Sequence, residues 1–216
     1  LGRSHTIRHG YRLLLSWSGT MFEYLMPRIW MRHHRDTLLE LTCQGVVAVQ
    51  QRDARLPGSP WGRSETAYGY ATDQAEYPYA ALGVPTVALN PHCRSAPVVS
   101  PYASFLALMV APRAAFENLR HMRRLGWLSQ RGFYEAADYS VHREDILGEY
   151  SLVRCWMAHH HGMSLLSSAD LLLNHRMQDL FHEDERVRAA ERLLHERAPR
   201  ELEVSSPAGV LAEAEA

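Results

Sequence analysis

Two stretches of this chain, SPYASFLALMVA and APRAAFENLRHMRRLG, share Ala111, and each sets a proline at the head of a helical apolar pattern. Proline is tolerated there because the first-turn N–H groups have no intrahelical partner and its fixed φ already suits a helix. Ser100 stands before Pro101 as a cap, and Gly126 ends the segment that Pro112 begins. A chain that stops and restarts helices this closely has to pair them. RDTLLELTCQGVVAVQQRDAR adds a further helix, with Asp36 as the expected N-cap and Leu38, Leu39, Leu41, Val46 and Val49 near helical spacing. SLVRCWMAHHH, GMSLLSSADLLLNH and DERVRAAERLLHER supply three more, and GVPTVAL is the one strand-like piece, short enough to be a loop segment or a small hairpin. The expected class is all-α.

The 216 residues, 46% of them hydrophobic, suffice for one sizeable core or a large piece of a bigger one. A net charge of −1 argues against a nucleic-acid surface, which shows a basic excess or stripe. No apolar run approaches the roughly 18 to 20 residues of a membrane span, and no signal-peptide pattern opens the chain. Cys43, Cys93 and Cys155 lie far apart and form no C-x-x-C, which reads as reduced thiols. The opening LGRSHTIRHGYR, without an initiator Met, reads as the start of a fragment.

Between the helices run long polar and aromatic connections, PGSPWGRSETAYGYATDQAEYPY and RGFYEAADYSVHREDILGEY. Loops of such length in a compact domain tend to carry function. Glu23, Glu65 and Glu135 share one setting, in TMFEY, SETAY and FYEAADY. A carboxyl held against aromatic rings is desolvated, which raises its pKa and suits it to acid catalysis near neutral pH. Aromatic rings also stack on the apolar faces of sugars, while Glu, Asp and His bind the hydroxyls. Each glutamate has a plain structural reading beside the catalytic one. For Glu23 that reading is specific, because Thr20 and Glu23 have the spacing of a capping box.

His159, His160 and His161 stand in a row in MAHHHGMS. Consecutive positions splay by about 100° on a helix, so three such rings do not converge on one ion, and hydrogen bonding to a sugar hydroxyl or a carboxylate is the better reading. No Gly-rich phosphate loop, G-x-S-x-G elbow or Cys/His nucleophile pattern is present. From Pro199 onward the apolar period is lost, and residues 199–216 read as a tail or linker after a unit spanning 1–198.

In order, LLSWSGTMFEYLMP, SPWGRSETAY, YPYAALGVP, SPYASFLALMV, GFYEAADYS, MAHHHGMSL and the closing MQDLFHEDERVRAAERLLHER resemble the glycoamylase-like domain of cyclic β-1,2-glucan synthases. The resemblance covers residues 11 to 198. It implies the C-terminal half of an (α/α)₆ toroid, made of helical hairpins with long functional loops. It also implies a larger synthase at the cytoplasmic face of a bacterial inner membrane, whose glycosyltransferase and phosphorylase-like regions would be partners within one polypeptide. The substrate implied is a β-1,2-glucan chain, with no cofactor and no metal.

Four departures stand out: Arg63 and Thr66 in PWGRSET, His161 where the family has Gln, Arg131 before Gly132, and Pro78 in YPY. Arg63 beside Glu65 would lower the pKa of that carboxyl. The expected reaction is retaining transglycosylation, which needs a nucleophile and an acid/base carboxyl about 5 to 5.5 Å apart. Glu65 as acid/base and Glu135 as nucleophile are the leading pair, with Glu23 third. Trp17, Trp61, Tyr68, Tyr77, Tyr134, Asp138, His159 and His160 are the expected subsite residues. An inverting endo-β-1,2-glucanase and a non-catalytic glucan-binding piece are the alternatives.

Overall fold

The computed structural model describes residues 3–54, 59–73, 76–140 and 150–197. The expected tail at 199–216 and part of the second long loop lie outside them. The described chain opens on an antiparallel hairpin, β1 (His5–Arg8) and β2 (Tyr11–Leu14). Its turn uses His9 and Gly10, both at positive φ, the two-residue geometry whose twist matches that of the strands. Helix α1 (Met21–Leu25) starts at Thr20, where the capping box is complete: Thr20 accepts from the Glu23 N–H, and Glu23 accepts from the Thr20 N–H. It gives way to a 3₁₀ turn, Met26–Ile29, because Pro27 has no N–H for an α-helical bond.

Helix α2 (Leu38–Arg52) is capped by Thr37 and not by Asp36. Thr37 is extended and its hydroxyl accepts from the Glu40 N–H at 3.3 Å, whereas Asp36 takes the left-handed position one residue earlier. Strand β2 lies directly on α2. Gly45 permits this, since a Cβ there would meet Leu13 Cδ2 at 2.1 Å.

Next come β3 (Glu65–Ala67) and β4 (Tyr79–Ala81), a second antiparallel hairpin, then β5 (Val98–Val99). Helices α3 (Pro101–Ala107) and α4 (Pro112–Arg124) both start on proline, as the sequence predicts. Ser100 is not a side-chain cap, however: its hydroxyl donates instead to the Glu135 carbonyl at 2.7 Å. The short pair β6 (Leu128–Ser129) and β7 (Gly132–Phe133) leads into β8 (Ala136–Asp138) and β9 (Ser151–Val153). Strand β8 lies between β5 and β9, both antiparallel to it. Helices α5 (Ala158–Leu172), α6 (Arg176–Phe181) and α7 (Glu185–Ala190) follow, with a final 3₁₀ turn, Glu191–His195.

The fold is thus mainly helical but not all-α. Among the described residues, nine strands of two to four residues form four small sheets. Such strands are too short to show an alternating apolar pattern. GVPTVAL takes the loop-segment alternative, with Pro85–Val87 in a 3₁₀ turn. SLVRCWMAHHH divides into β9 and the first turn of α5, which begins at Ala158. The core gathers Met21, Leu25 and Ile29 with Val46 of α2, Leu106 of α3, Met122 of α4 and Trp127, all at most 1% exposed. Two glycines bring distant loops into backbone contact. A Cβ on Gly83 would fall 1.9 Å from the Ser18 carbonyl, and one on Gly19 (φ +68°) 2.4 Å from that of Val84.

Candidate active site

Glu135 sits in the two-residue step between β7 and β8. Its backbone N–H donates to the carbonyls of Val153 and Cys155, which anchors the step to β9, and Ser100 holds its own carbonyl. The residue is 3% exposed. Its Oε1 accepts from the Thr66 hydroxyl at 2.7 Å and the Ala67 N–H at 3.3 Å. His160 Nδ1 lies 2.9 Å from Oε1 and 3.0 Å from Oε2. A buried carboxylate is tolerated only with such partners.

The first turn of α5 delivers His160, and Tyr102 of α3 holds it flat: the rings stack at 3.7 Å with an 8° interplanar angle. The Tyr102 hydroxyl donates to Ser64 Oγ at 2.7 Å and lies 2.9 Å from the Glu65 carbonyl, and burial pushes its pKa up. On the far edge of the imidazole, His160 Nε2 is 3.4 Å from the Tyr79 hydroxyl, which is also 3.4 Å from Glu65 Oε2. Glu135, His160, Tyr79 and Glu65 thus form one chain of polar contacts. Burial, followed by the charges of Glu65 and Glu135, raises the Tyr79 pKa. Burial and then the Glu135 charge push the Cys155 thiol up to about 11. His159 is exposed; partial desolvation and then His160 lower its pKa against the opposing pull of Glu135.

A cavity of about 250 Å³ opens over Glu135 and His160, walled by Tyr102, Phe105, Phe133 and Tyr134. His161 lines it too, with Nε2 3.3 Å from the Phe133 carbonyl. Gly132 makes room for that ring: at φ +103°, its missing Cβ would stand 2.8 Å from His161 Cε1. Beside the cavity, Tyr134 packs on Trp156 at 5.4 Å, with Arg131 over Trp156 and Arg154 over Tyr134. This wall of rings and guanidinium groups suits a polyhydroxylated ligand with apolar faces.

The three consecutive histidines splay as helix geometry requires, and only His160 is buried against a carboxylate. Of the residues read from sequence, the structure brings Glu135, His160, Tyr134 and, through Tyr79, Glu65 and His159 into one neighbourhood. The others do not line that cavity. Glu23 accepts from the Ser16 hydroxyl and the N–H groups of Ser18 and Thr20, so its oxygens are committed to the turn before α1. Trp61 is buried in the core with its N–H on Asn118. Asp138 is fully buried and ties Gly69 and Ser140 to β8. Tyr68 and Tyr77 pack on a small satellite core under the β3–β4 hairpin, and Trp17 is 64% exposed. Arg63 does not face Glu65: its guanidinium pairs with Asp53 at 2.7 Å and donates to Ser95 at 3.2 Å.

Tyr79, Tyr102 and Trp156 were not legible as site residues. Each meets its partner only through the fold; Tyr79 and His160 are 81 positions apart.

Residues 2–185 match the family model named Glycoamylase and described as "Putative glucoamylase". A cyclic β-(1,2)-glucan synthase, NdvB of Rhizobium meliloti (strain 1021), is 40% identical over 191 residues, which are 88% of this chain and 7% of that protein. Among solved structures, the endo-β-1,2-glucanase of Chitinophaga pinensis with sophorotriose and glucose superposes with a TM-score of 0.61 at 16% identity, over 89% of this chain and 46% of that one. The endo-β-1,2-glucanase of Talaromyces funiculosus with sophorose gives 0.64 at 10% identity, over 88% and 37%. This chain therefore spans a small part of the curated relative and under half of these solved chains.

Proposed function

The chain belongs to the glycoamylase family, and from that premise we propose that it is the carbohydrate-active part of a larger enzyme acting on β-1,2-glucan. The observation that carries this reading is Glu135, a buried carboxylate whose Oε1 meets Thr66, Ala67 and His160 while Oε2 meets His160, and which lines an aromatic cavity. The 40% identity to a cyclic β-(1,2)-glucan synthase supports the choice of substrate.

In the mechanism we infer, a Glu135 oxygen bonds to the anomeric carbon as the glycosidic bond breaks, and Glu65 gives its proton to the departing oxygen. The 2-hydroxyl at the chain's own non-reducing end then attacks the anomeric carbon, returns a proton to Glu65 and frees Glu135. The product is a ring. Aromatic walls that exclude water favour this acceptor over hydrolysis.

Tyr79 couples the two carboxyl groups because it has one proton for two acceptors, Glu65 Oε2 and His160 Nε2. With Glu65 ionised the phenol donates to it. With Glu65 protonated, the phenol accepts from Glu65 and donates to His160, whose Nδ1–H then remains on Glu135.

The half-length match to solved structures supports reading the fold as the C-terminal half of an (α/α)₆ toroid, completed by the rest of the polypeptide. The partners in this reading are the glucan chain and the glycosyltransferase and phosphorylase-like regions of a synthase at the cytoplasmic face of the inner membrane. No helix among the described residues is long and apolar enough to cross a membrane.

The test is mass spectrometry and NMR of products made from linear β-1,2-glucan by the full-length protein. Cyclic products one water lighter than linear chains of the same number of glucose units, formed together with the released reducing-end piece and lost in Glu135→Gln, are expected. Linear products released with inverted anomeric configuration would overturn the cyclising mechanism. They would favour the second reading, an inverting endo-β-1,2-glucanase; the likeness to two endo-β-1,2-glucanases supports the hydrolase part of it.

A further inference from the structure

The two oxygens of the Glu135 carboxylate have different surroundings. Oε1 meets the Thr66 hydroxyl at 2.7 Å, the Ala67 N–H at 3.3 Å and His160 Nδ1 at 2.9 Å. Among the described residues Oε2 meets only His160 Nδ1, at 3.0 Å, and shares that contact with Oε1. A carboxylate has about two lone-pair sites on each oxygen. Three donors crowd those of Oε1, whereas Oε2 keeps a lone pair with no donor on it.

Strand β3 makes the difference, because its consecutive residues Thr66 and Ala67 both donate to the same oxygen. Both residues are fully buried. The Thr66 hydroxyl has one proton and a second acceptor, the Ala67 carbonyl at 3.2 Å. The bond to the carboxylate is shorter and charge-assisted, and therefore the stronger of the two. Glu135 itself is tied through its N–H to Val153 and Cys155 and through its carbonyl to Ser100, so its side chain leaves from a fixed point.

We propose that Oε2 of Glu135 is the atom that bonds to the anomeric carbon, and that Thr66 is a positioning residue that keeps Oε1 as the carbonyl oxygen of the resulting ester. The proposal rests on the retaining mechanism above. In the first step an Oε2 lone pair bonds to the anomeric carbon. The electron pair of the glycosidic bond passes to the departing oxygen, which takes the Glu65 proton. In the second step the acceptor 2-hydroxyl oxygen bonds to the anomeric carbon and its proton returns to Glu65. The electron pair of the bond to Oε2 goes back to the Glu135 carboxylate.

Thr66 acts unequally on the two steps. A hydroxyl donates more strongly to a carboxylate than to the carbonyl of an ester, since the ester carries no net charge. The Thr66 bond is therefore strongest when Glu135 is free, and it favours departure of Glu135 from the sugar in the second step.

The test compares variants of the full-length protein on linear β-1,2-glucan. Thr66→Val, close in shape, should lower kcat about 10- to 100-fold, the range for a lost hydrogen bond to a charged group, and should lower KM with it. That pairing marks a covalent intermediate that accumulates. Mass spectrometry of the acid-quenched variant should then find a sugar adduct on the peptide that carries Glu135. Thr66→Ser keeps the hydroxyl and should restore both constants. Circular dichroism checks the fold, and Thr66→Ala replaces the valine variant if valine disturbs it. An unchanged kcat in Thr66→Val, a fall in kcat without the adduct, or Thr66→Ser as impaired as Thr66→Val would overturn the role of Thr66 while leaving the retaining mechanism in place. Products of inverted configuration from the parent would overturn both.

Discussion

His160 Nδ1 is 2.9 Å from one carboxylate oxygen of Glu135 and 3.0 Å from the other, with both side chains at most 2% exposed. The imidazole is in turn clamped face to face on Tyr102. A pair this deeply buried has structural and chemical consequences, and substitutions of different kinds separate them. Removing one partner of a buried pair leaves the other without compensation, at a cost of about 3 to 5 kcal/mol. His160→Ala should therefore unfold at markedly lower denaturant. Glu135→Gln keeps the shape and one acceptor oxygen for Thr66 and Ala67 and should fold, yet lose turnover by about 10³-fold or more in assays on β-1,2-glucan. Parallel urea titrations and product assays check both halves.

Tyr79 joins that pair to Glu65 through its hydroxyl alone, while its ring stacks near His160 at 6.1 Å. Tyr79→Phe keeps the ring and removes the shared proton. The expected result is a fall in kcat of about 10- to 100-fold with KM little changed, within the range for lost proton handling. Stability should move by less than about 1 kcal/mol, because both contacts are long. An effect on KM with kcat intact would point to a sugar-binding role instead.

Gly132 is held by two separate constraints, a left-handed φ of +103° and the ring of His161 at 2.8 Å from the absent Cβ. Gly132→Ala should cost about 1 to 3 kcal/mol, the range for strained backbone positions. A double-mutant cycle divides the two. Pairing Gly132→Ala with His161→Ala should recover the part due to the clash and leave the backbone strain. Full recovery would show that strain at φ +103° contributes nothing.

Some of this site was readable in sequence because its cause is local. Thr20 and Glu23 are three apart, so the capping box is written in the chain, and it does hold the Glu23 carboxylate at its own turn. Pro101 and Pro112 mark helix starts for the same reason. The aromatic setting of Glu135 singles out its loop in the sequence, yet the residues that partner it, Thr66 and His160, are 69 and 25 positions away. Trp61 and Asp138 show the converse limit. Their residue types suit a sugar site, but packing on the core and bonds to Gly69 and Ser140 decide their place. The strands were hidden because two to four residues cannot display a period, and a partner can lie far along the chain, as Val98 and Asp138 do, 40 positions apart.

Glu40, in the first turn of α2, makes acid stability testable. Burial by itself would raise its pKa, but hydrogen bonding with His33 and the charge and hydrogen bond of Arg28, aided by Gln44, overcome this and bring it to about 2. The Arg28 contact measures 2.5 Å, and both side chains are at most 15% exposed. A carboxyl whose folded value is depressed binds its proton more tightly when unfolded. Its contribution is therefore fully present above about pH 4.5 and is lost as pH falls towards 2. Each tenfold weakening of proton binding on folding is worth about 1.4 kcal/mol, so with partial screening by solvent the contribution is on the order of 2 to 3 kcal/mol. Glu40→Gln should lower the unfolding free energy at pH 7 by a similar amount and lessen its decline between pH 4.5 and 2. Urea unfolding of both proteins at pH 7 and pH 3 gives the comparison, and an equal decline in the two would remove Glu40 from the acid response.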